Sequence, residues 1–509
     1  MSDFAANLSL GLEVAAQPVN LLFCFLGVLL GTMIGVLPGI GPVAAIAILL
    51  PVTFYLDPIP ALTMLAGIYY GSQYGGSTTS ILVKVPGESA SVVTCIDGHE
   101  MALRGRAGAA LAIAAIGSFI AGIIGTSLIV LFGPALVKIA GAFGAAEYFA
   151  LMVLGLAAAV VMAHGSLLGA IAMILLGLVL GLVGRDINTG FPRLTFGVFE
   201  LQDGIGFVPL AMGLFGIAEI MRNLDQKSEH SAAHSRIGRL WLTREEWRRA
   251  WPAVLRGTGL GIVLGILPGG GSIIASFSSY GLEKRVSRHP EEFGRGAIEG
   301  VAGPESANNA AAQASFIPLL TLGIPPNAVL ALMVGGMMIH GITPGPNVVT
   351  EQPRLFWGLV MSMFIGNVML VIINLPLVGM WVQVLKLPYR ILFPSIFLFC
   401  CIGVYAVNNS VFEVLLTVGF AFLGYFMLKV GLEPAPLLLG FVLGPLIEEH
   451  LRRTLMLSRG DFSVFLHRPL ALGMLVAAAV LLLMTLLPHI ALRRATIFGE
   501  GDRDGPQTR

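Results

Sequence analysis

Charge is scarce in this 509-residue chain, and the two signs balance. Charged residues make up 12% of the sequence, about half the share in an average soluble protein. The 30 Lys and Arg residues are matched by 29 Asp and Glu residues. No basic patch is interleaved with aromatic residues, so nothing indicates nucleic-acid binding. The sequence also lacks a Gly-x-x-x-x-Gly-Lys-Ser/Thr phosphate loop, which leaves no motif for work driven by ATP.

Cysteine is equally sparse, with four residues in the whole chain. Their positions do not match a metal-binding spacing, and the adjacent pair at 400 and 401 is poorly shaped for a disulfide. We expect all four to be small apolar filler residues: Cys24, Cys95, Cys400 and Cys401. No metal site is predicted, apart from the coupling sodium ion considered below.

The chain has long apolar segments instead. Hydrophobic residues make up 56% of it, and the mean hydropathy is +0.86. Several runs are long enough for one or two passes at about 20 residues per helix: 107–134, 148–184, 205–221, 356–385, 391–430 and 468–488. The sequence therefore predicts an all-α polytopic membrane protein with roughly eleven or twelve hydrophobic segments, some of them re-entrant or broken.

A Leu-Pro-Gly phrase occurs twice within apolar surroundings. Residues 31–42 read GTMIGVLPGIGP and residues 261–272 read GIVLGILPGGGS, so position 261 lies 230 residues after position 31. Pro and Gly break helices, and backbone groups freed at membrane depth are tolerated only where they line a site. One break in each half is typical of a transporter with internal repeats. The candidate binding residues here are Pro38, Gly39, Gly41, Pro268, Gly269, Gly270, Gly271 and Ser272.

A second polar motif follows the first one in each half. Hydroxyl and amide side chains stand in apolar stretches, where an unsatisfied polar group costs several kcal/mol. The candidates are Gly75, Gly76, Ser77, Thr78, Thr79 and Ser80 in the first half, and Glu305, Ser306, Asn308, Asn309, Pro325 and Asn327 in the second. Such groups suit a carboxylate held by N–H and hydroxyl donors, or a sodium ion held by freed carbonyl oxygens. The alternative is that small residues such as Gly31, Gly35, Gly261 and Gly265 only permit close helix packing.

Two charges lie next to these motifs, and each has two interpretations. Lys84 is a possible anion contact, or it extends to the membrane interface. Glu305 carries a coupling proton or helps bind a cation, or it serves only as a structural hydrogen-bond acceptor.

The distribution of cations indicates the orientation of the two halves. Lys84, Arg104 and Arg106 follow the second motif of the first half, whereas cations at 284–295 precede it in the second half. Opposite insertion of two inverted-topology repeats would produce this difference. The first repeat is expected at 1–221, with motifs at 31–42 and 70–88, and the second repeat at 257–450, with motifs at 261–272 and 303–327. A cytoplasmic basic linker at 222–256 joins them. A basic loop, the last span and a polar tail follow at 451–509.

The linker contains a capping box, in which Thr243 precedes Glu246 by three residues. We expect it to open a short helix that either lies on the membrane surface or is solvated.

Together the motifs resemble one family. The phrases GVLPGIGP at 35–42, YGGS at 74–77, DGHEM at 97–101, RGRAG at 104–108, PESANNA at 304–310, LTLGIP at 320–325 and APLLLGFVLG at 435–444 closely resemble the large membrane subunit of the tripartite tricarboxylate transporters. The resemblance runs from about residue 20 to residue 465.

That resemblance implies a multi-pass transporter of the bacterial inner membrane and not an enzyme. It would work with a small membrane subunit and a periplasmic solute-binding protein to import a tricarboxylate, dicarboxylate or related organic anion. A sodium or proton gradient would drive it, with no other cofactor. The family's sites carry over only as the paired motifs named above.

Two other functions fit less well. A passive anion channel would conduct without a coupling ion. An intramembrane enzyme would need paired aspartates or a Ser/His arrangement, but the aspartates lie in turns or near the ends of spans: Asp57, Asp97, Asp186 and Asp203.

Overall fold

The structure is a computed structural model that describes most of the chain. The described residues are 2–37, 40–140, 143–163, 166–186, 188–225, 238–267, 271–345, 347–384 and 389–485. The candidates Pro38, Gly39, Pro268, Gly269 and Gly270 lie outside them.

Helices make up nearly all of the described fold. Those before the central linker are α1 Ser2–Ala15, α2 Pro18–Val36, α3 Pro42–Thr53, α4 Pro58–Val83, α5 Val92–Leu103, α6 Ala107–Ala140, α7 Ala145–Met162, α8 Leu167–Gly181, α9 Phe207–Ala211 and α10 Ala218–Asp225. A π-helix at Met212–Ile217 joins α9 to α10, and short 3₁₀ turns lie at Ser89–Ser91, Phe199–Asp203 and Pro290–Glu292.

The helices after the linker continue to residue 485. They are α11 Arg244–Ile266, α12 Gly271–Val286, α13 Glu299–Ala314, α14 Phe316–Leu322, α15 Ala328–Ile339, α16 Asn347–Glu351, α17 Pro353–Asn374, α18 Val378–Val384, α19 Tyr389–Asn408, α20 Val411–Lys429, α21 Pro434–Leu457, α22 Val464–His467 and α23 Pro469–Thr485. Two short strands, β1 Gly184–Arg185 and β2 Pro192–Arg193, pair antiparallel with Gly184 opposite Arg193.

Many of these helices are apolar enough for a bilayer. Among the described residues, five are long and apolar enough to cross it: Pro18–Val36, Ala107–Gly133, Phe207–Leu224, Pro353–Asn374 and Val411–Lys429. A further seven are apolar but shorter, at 10–17 residues, below the length that a full pass needs. The predicted all-α polytopic membrane fold is confirmed.

The chain forms two compact units that are not its two consecutive halves. The first comprises Met1–Ala140 and Phe207–Phe422, and the second comprises Gly141–Gly206 and Leu423–Arg509. All the described candidate site residues belong to the first unit.

Two helices of the first unit are buried on every side. All residues of α4 from Pro60 to Leu82 are buried, and so is every residue of α13 from Glu299 to Ala314. A helix surrounded in this way normally carries apolar residues on all faces, yet both helices contain runs of polar side chains. These polar residues must find partners inside the protein.

Glycines of α2 bring that helix into contact with the backbone of α4. A Cβ atom added at Gly31 would lie 2.5 Å from the Ile68 carbonyl oxygen, and one added at Gly35 would lie 2.3 Å from that of Ser72. Real Cβ atoms do not approach so closely, so only glycine fits at these positions.

The same contact occurs between α11 and α13. A Cβ atom would lie 2.3 Å from the Ala307 carbonyl oxygen at Gly261, and 2.5 Å from that of Ala311 at Gly265. In both halves these repeated glycines are packing residues, which is the simpler of their two interpretations.

Both Leu-Pro-Gly phrases lie between helices. The first follows the end of α2 at Val36, and α3 begins at Pro42. The second follows the end of α11 at Ile266, and α12 begins at Gly271. The two phrases therefore precede the N-termini of α3 and α12.

The capping box opens a longer helix than expected. Thr243 Oγ1 accepts the Glu246 N–H at 3.2 Å, and Glu246 Oε2 accepts the Thr243 N–H at 2.6 Å. The helix then runs without interruption to Ile266, across the boundary drawn at 256 and 257. The expected helix is present and is longer than the linker, with Pro252 inside it; its position on the membrane surface or in solvent stays a prediction.

The second unit is built around α7, α8, α21 and α23. Gly177 of α8 lies against the Leu437 backbone, and Gly440 of α21 lies against the Ile174 backbone. Four charged side chains pair at one end of this unit: Asp186, Arg193, Glu448 and Arg452.

Candidate functional site

The polar residues of α4 and α13 meet around two buried carboxylates. The first belongs to Glu305, whose side chain is 1% exposed. Ser77 Oγ of α4 donates to Glu305 Oε2 at 2.6 Å, and the Thr94 hydroxyl of α5 donates to Oε1. Each carboxylate oxygen thus has a hydroxyl donor from a different helix.

The second carboxylate belongs to Glu88, which follows α4. Asn308 Nδ2 donates to Glu88 Oε1 at 2.9 Å. In the orientation that satisfies both of its amide atoms, Gln73 donates to Oε1 at 2.5 Å and to Oε2 at 2.9 Å. The glycine at position 76 makes room, since a Cβ there would lie 2.9 Å from Glu88 Cγ.

The two carboxylates contact side chains from successive turns of the same helix pair, α4 and α13. Gln73 and Ser77 are one turn apart on α4, as Glu305 and Asn308 are on α13. Among the residues that the structure describes, no Lys, Arg or His side chain hydrogen-bonds or pairs with either carboxylate. We name the six residues that form this arrangement the acidic cluster: Gln73, Ser77, Glu88, Thr94, Glu305 and Asn308.

Other predicted residues extend the network. Asn309 Nδ2 donates to Ser118 Oγ of α6 at 2.7 Å, and Ser80 Oγ donates to Ser91 Oγ at 2.9 Å. Thr79 Oγ1 donates to the Val36 carbonyl oxygen at 2.6 Å, which satisfies an acceptor at the end of α2.

Thr78 and Ser306 make local contacts instead. Their hydroxyls donate to carbonyl oxygens one turn earlier in their own helices, Tyr74 and Ala302. Gly75 packs against the Thr32 backbone of α2. These three residues shape the helices rather than contact a carboxylate.

The residues around the second phrase join the network less directly. Ser272 Oγ donates to the Asn308 carbonyl oxygen at 3.3 Å. Asn327 caps α15 by accepting the Leu330 N–H at 3.0 Å, and its Nδ2 donates to the Tyr69 hydroxyl at 3.4 Å. Pro325 is buried just before that cap.

Free space borders both phrases. An added Cβ at Gly41 or at Gly271 would meet no atom within 4 Å. The N-terminus of α3 has no side-chain cap, so its first N–H groups are available. Lys84 is exposed and ends α4 in a left-handed conformation, with φ of 58°.

Asp97 of α5 fixes the entry to α13. Its Oδ1 accepts the N–H groups of Gly294 at 2.9 Å, Gly296 at 2.7 Å and Ala297 at 2.9 Å. The Tyr280 hydroxyl donates to Oδ2 at 2.9 Å. This fully buried carboxylate therefore serves a structural purpose.

A small cavity adjoins Ser77, with room for about one water molecule. It is lined by Tyr74, Ser77, Thr78, Leu111, Ala114, Ala115, Ser118 and Asn374. The Tyr74 hydroxyl and Asn374 Oδ1 are buried and have no hydrogen-bond partner in the described part of the chain. A water molecule in the cavity would satisfy polar groups that are otherwise left unpaired.

The chemistry of the acidic cluster differs from what the motifs alone indicate. Their hydroxyl and amide donors are used by two carboxylates of the protein itself, so an added anion would meet negative charge. Sequence reasoning overlooked three of the residues: Gln73, Glu88 and Thr94. Gln73 and Glu88 lie within the motif at 70–88 but were not chosen as candidates from it, and no motif marked Thr94.

No arrangement typical of a metal centre accompanies the cluster. Within the described ranges, no group of three or more His, Cys, Asp or Glu side chains is placed to hold a metal ion.

A family model and two curated relatives match the chain. The model of the "Tripartite tricarboxylate transporter TctA family" matches residues 21–439. The "Uncharacterized 52.8 kDa protein in TAR-I ttuC' 3'region" of Agrobacterium vitis is 57% identical over 502 residues, which is 99% of this chain and 100% of that protein. The "Uncharacterized protein in TAR-II ttuC' 3'region" of the same organism is 59% identical over 242 residues, 48% of this chain and 100% of its own length. No solved structure matches the chain.

Proposed function

Because the chain belongs to the tripartite tricarboxylate transporter TctA family, we propose that it is the large subunit of a secondary transporter that imports an organic anion. The anion is a tricarboxylate, a dicarboxylate or a related acid. The transporter lies in the bacterial inner membrane and works with a small membrane subunit and a periplasmic solute-binding protein. A sodium or proton gradient drives uptake.

The observation that carries this proposal is the acidic cluster itself. Burying charged and polar side chains within a membrane protein costs several kcal/mol and is typical of sites for substrates and ions. The cluster lies between two helices, α4 and α13, that each pack through glycines against the helix leading to a Leu-Pro-Gly phrase. The paired arrangement supports a transport core built from two related halves with inverted topology.

The substrate carboxylates bind at the two phrases rather than at the acidic cluster. The N-termini of α3 and α12 carry partial positive charge, and the first N–H groups of α3 have no side-chain cap. Open space adjoins Gly41 and Gly271 at these N-termini. Alternating access follows when this core moves against the remaining helices of the chain.

Reconstitution tests the proposal directly. The chain, its small subunit and its cognate binding protein are placed in proteoliposomes, and uptake of labelled citrate and labelled succinate is measured with a sodium gradient, a proton gradient or none. We expect accumulation that requires both the binding protein and a gradient. Flux that equilibrates the anion without a gradient would instead identify a passive channel.

A variant at the first phrase tests the site. Gly41→Leu fills the open space at the start of α3 and should abolish uptake while the protein stays folded. Gly259→Leu is the matched control, because Gly259 is exposed on α11 and its added Cβ would also meet no atom within 4 Å. Equal uptake by the two variants would place the substrate elsewhere.

A further inference from the structure

Among the described residues, no cationic side chain pairs with the two carboxylates of the acidic cluster, so their negative charge opposes an approaching anion. We propose that Glu305 is the proton-binding group of this transporter, with Ser77 as the hydroxyl that adapts to its protonation state. The inference rests on the proposed function and adds to it the identity of the coupling ion and of its site.

Ser77 is placed to serve both states of Glu305. Its Oγ lies 2.6 Å from Glu305 Oε2 and 3.0 Å from the Gln73 carbonyl oxygen. When Glu305 is ionised, the hydroxyl hydrogen points at the carboxylate. When a proton binds to Oε2, a new O–H bond forms there and donates to Ser77 Oγ, whose own hydrogen turns to the Gln73 carbonyl. No heavy atom has to move.

The ligands favour a proton over a sodium ion. A metal cation needs several oxygen atoms that converge on one point. Glu88 accepts hydrogen bonds from the amide groups of Gln73 and Asn308, which direct N–H donors rather than their oxygen atoms at its carboxylate. Glu305 faces two hydroxyls that both donate to it, and every one of these contacts is satisfied by adding or removing hydrogen alone.

The cavity beside Ser77 provides a route for the proton. Ser77, Tyr74 and Asn374 all line it, and the Tyr74 hydroxyl and Asn374 Oδ1 have no hydrogen-bond partner among the described residues. Both side chains are more than nine-tenths buried, at 4% and 6% exposed. A water molecule held there that carries an extra proton can pass it to the Ser77–Glu305 pair and remain as neutral water.

The groups around Glu305 are consistent with this role. The titratable groups that face it are Tyr74 of α4, Cys95 of α5 and Glu88 of the segment after α4. α6 and α17 contribute the uncharged Ser118 and Asn374, and α12 contributes Ser272 and Ser276. The charge of Lys84 interacts with Cys95. Asp97 accepts a hydrogen bond from Tyr280, and Glu283 forms an ion pair with Arg256.

The functional consequence is electrostatic. With Glu305 ionised, the cluster holds like charges that repel each other and any approaching carboxylate. A proton on Glu305 removes one of these charges and so favours anion binding. Because the linkage is reciprocal, bound anion also favours the protonated state.

The first test uses transport by the complete three-component system in proteoliposomes. Glu305→Gln copies the protonated side chain, so it should retain exchange of labelled citrate or succinate between equal internal and external pools. It should lose accumulation driven by an inward proton gradient, by at least tenfold. Glu88→Gln is the comparison that removes the neighbouring charge. Undiminished proton-driven accumulation by Glu305→Gln, or accumulation by the parent that needs sodium and ignores the proton gradient, would overturn the inference.

The second test needs no substrate. Infrared spectra of the purified chain are recorded through a pH titration, and the carbonyl band of protonated carboxyl groups is compared between the parent and Glu305→Gln. We expect a titrating band in the parent that the variant lacks. Identical bands would refute proton binding at Glu305. If Glu305→Gln does not fold, Ser77→Ala replaces it and should move the midpoint of that band to higher pH, because the ionised carboxylate loses a donor; an unmoved midpoint counts against the inference.

The two proposals fail in different ways. A parent that shows the titrating band but no uptake dependent on the binding protein would contradict the proposed function alone. A parent that accumulates the anion with a sodium gradient and shows no such band would contradict only the proton site.

Discussion

Ser77 of α4 donates a 2.6 Å hydrogen bond to Glu305 of α13, although 228 residues separate them in the sequence. The contact joins the second polar motif of one half of the chain to that of the other. The two halves therefore share one buried site, and a change on either side of the contact should be felt by both.

Replacing the hydroxyl is the simplest check of that contact. Ser77→Ala leaves Glu305 Oε2 without its donor, and a buried charged acceptor that loses its partner costs about 1–3 kcal/mol. We expect gradient-driven uptake to fall on the order of tenfold and the thermal unfolding temperature to drop. Ser362→Ala is the control, because the buried Ser362 hydroxyl donates only to the Leu359 carbonyl of its own helix, at 2.6 Å. Similar losses in both variants would show that the Ser77 contact has no special role.

The packing glycines predict a position-specific effect within one helix. Gly261→Ala forces a Cβ to within 2.3 Å of the Ala307 carbonyl oxygen and should destabilise the protein by about 1–3 kcal/mol. Gly259→Ala, two residues earlier on the exposed side of α11, should be neutral or stabilise the helix by up to about 1 kcal/mol. Thermal unfolding of the detergent-solubilised variants measures both effects. Equal unfolding temperatures would mean that α11 and α13 are farther apart than described.

The ion pair between Arg256 and Glu283 predicts a non-additive result. Arg256 Nη2 and Nε donate to the Glu283 carboxylate, whose side chain is 0% exposed. Arg256→Met leaves that carboxylate buried without its cation and should cost about 3 kcal/mol. Adding Glu283→Gln removes the unpaired charge and should recover part of the loss. A double-mutant cycle on unfolding temperatures tests this, and strictly additive losses would contradict it.

The lowered pKa of Asp186, in the second unit, predicts that its contribution to stability is constant between pH 5 and pH 8. The Thr189 N–H lowers the pKa of the Asp186 carboxyl to about 2, with further help from the Thr189 hydroxyl, the Asn188 N–H and Arg452. The folded pKa lies below the ordinary value of about 3.9, so the stabilisation is complete above that value and is lost as pH falls through 2. Asp186→Asn should therefore lower the unfolding temperature equally at pH 5, 6, 7 and 8. A deficit that changes across that range would show that another group is responsible.

The sequence predicted the fold class and the helices that carry the site more readily than the chemistry of the site. Apolar length and Pro-Gly breaks identify membrane helices because a bilayer enforces both rules locally. The clusters at 75–80 and 305–309 were found because polar groups in apolar stretches are costly. Ser77 donates to a carboxylate in the other half of the chain. This contact depends on how the helices pack in the tertiary structure, which a local sequence pattern does not predict.

Local sequence rules also did not decide the role of the repeated glycines or the length of the linker helix. Gly31 and Gly261 follow a spacing that suits either a close helix contact or a backbone site, and only the facing carbonyl oxygens decide between them. α11 continues beyond the basic linker to Ile266, with one proline inside it. The two compact units are each assembled from segments far apart in the sequence, which composition could not reveal.

Two tethers on α5 restrict how this protein can change shape. Thr94 holds the Glu305 carboxylate, and one turn later Asp97 holds the backbone of Gly294, Gly296 and Ala297 just before α13. Sliding α5 along α13 would break both sets of hydrogen bonds together and leave a fully buried carboxylate without its donors. We therefore expect the two helices to move as one piece in the proposed transport cycle, with the hinges for alternating access outside this pair.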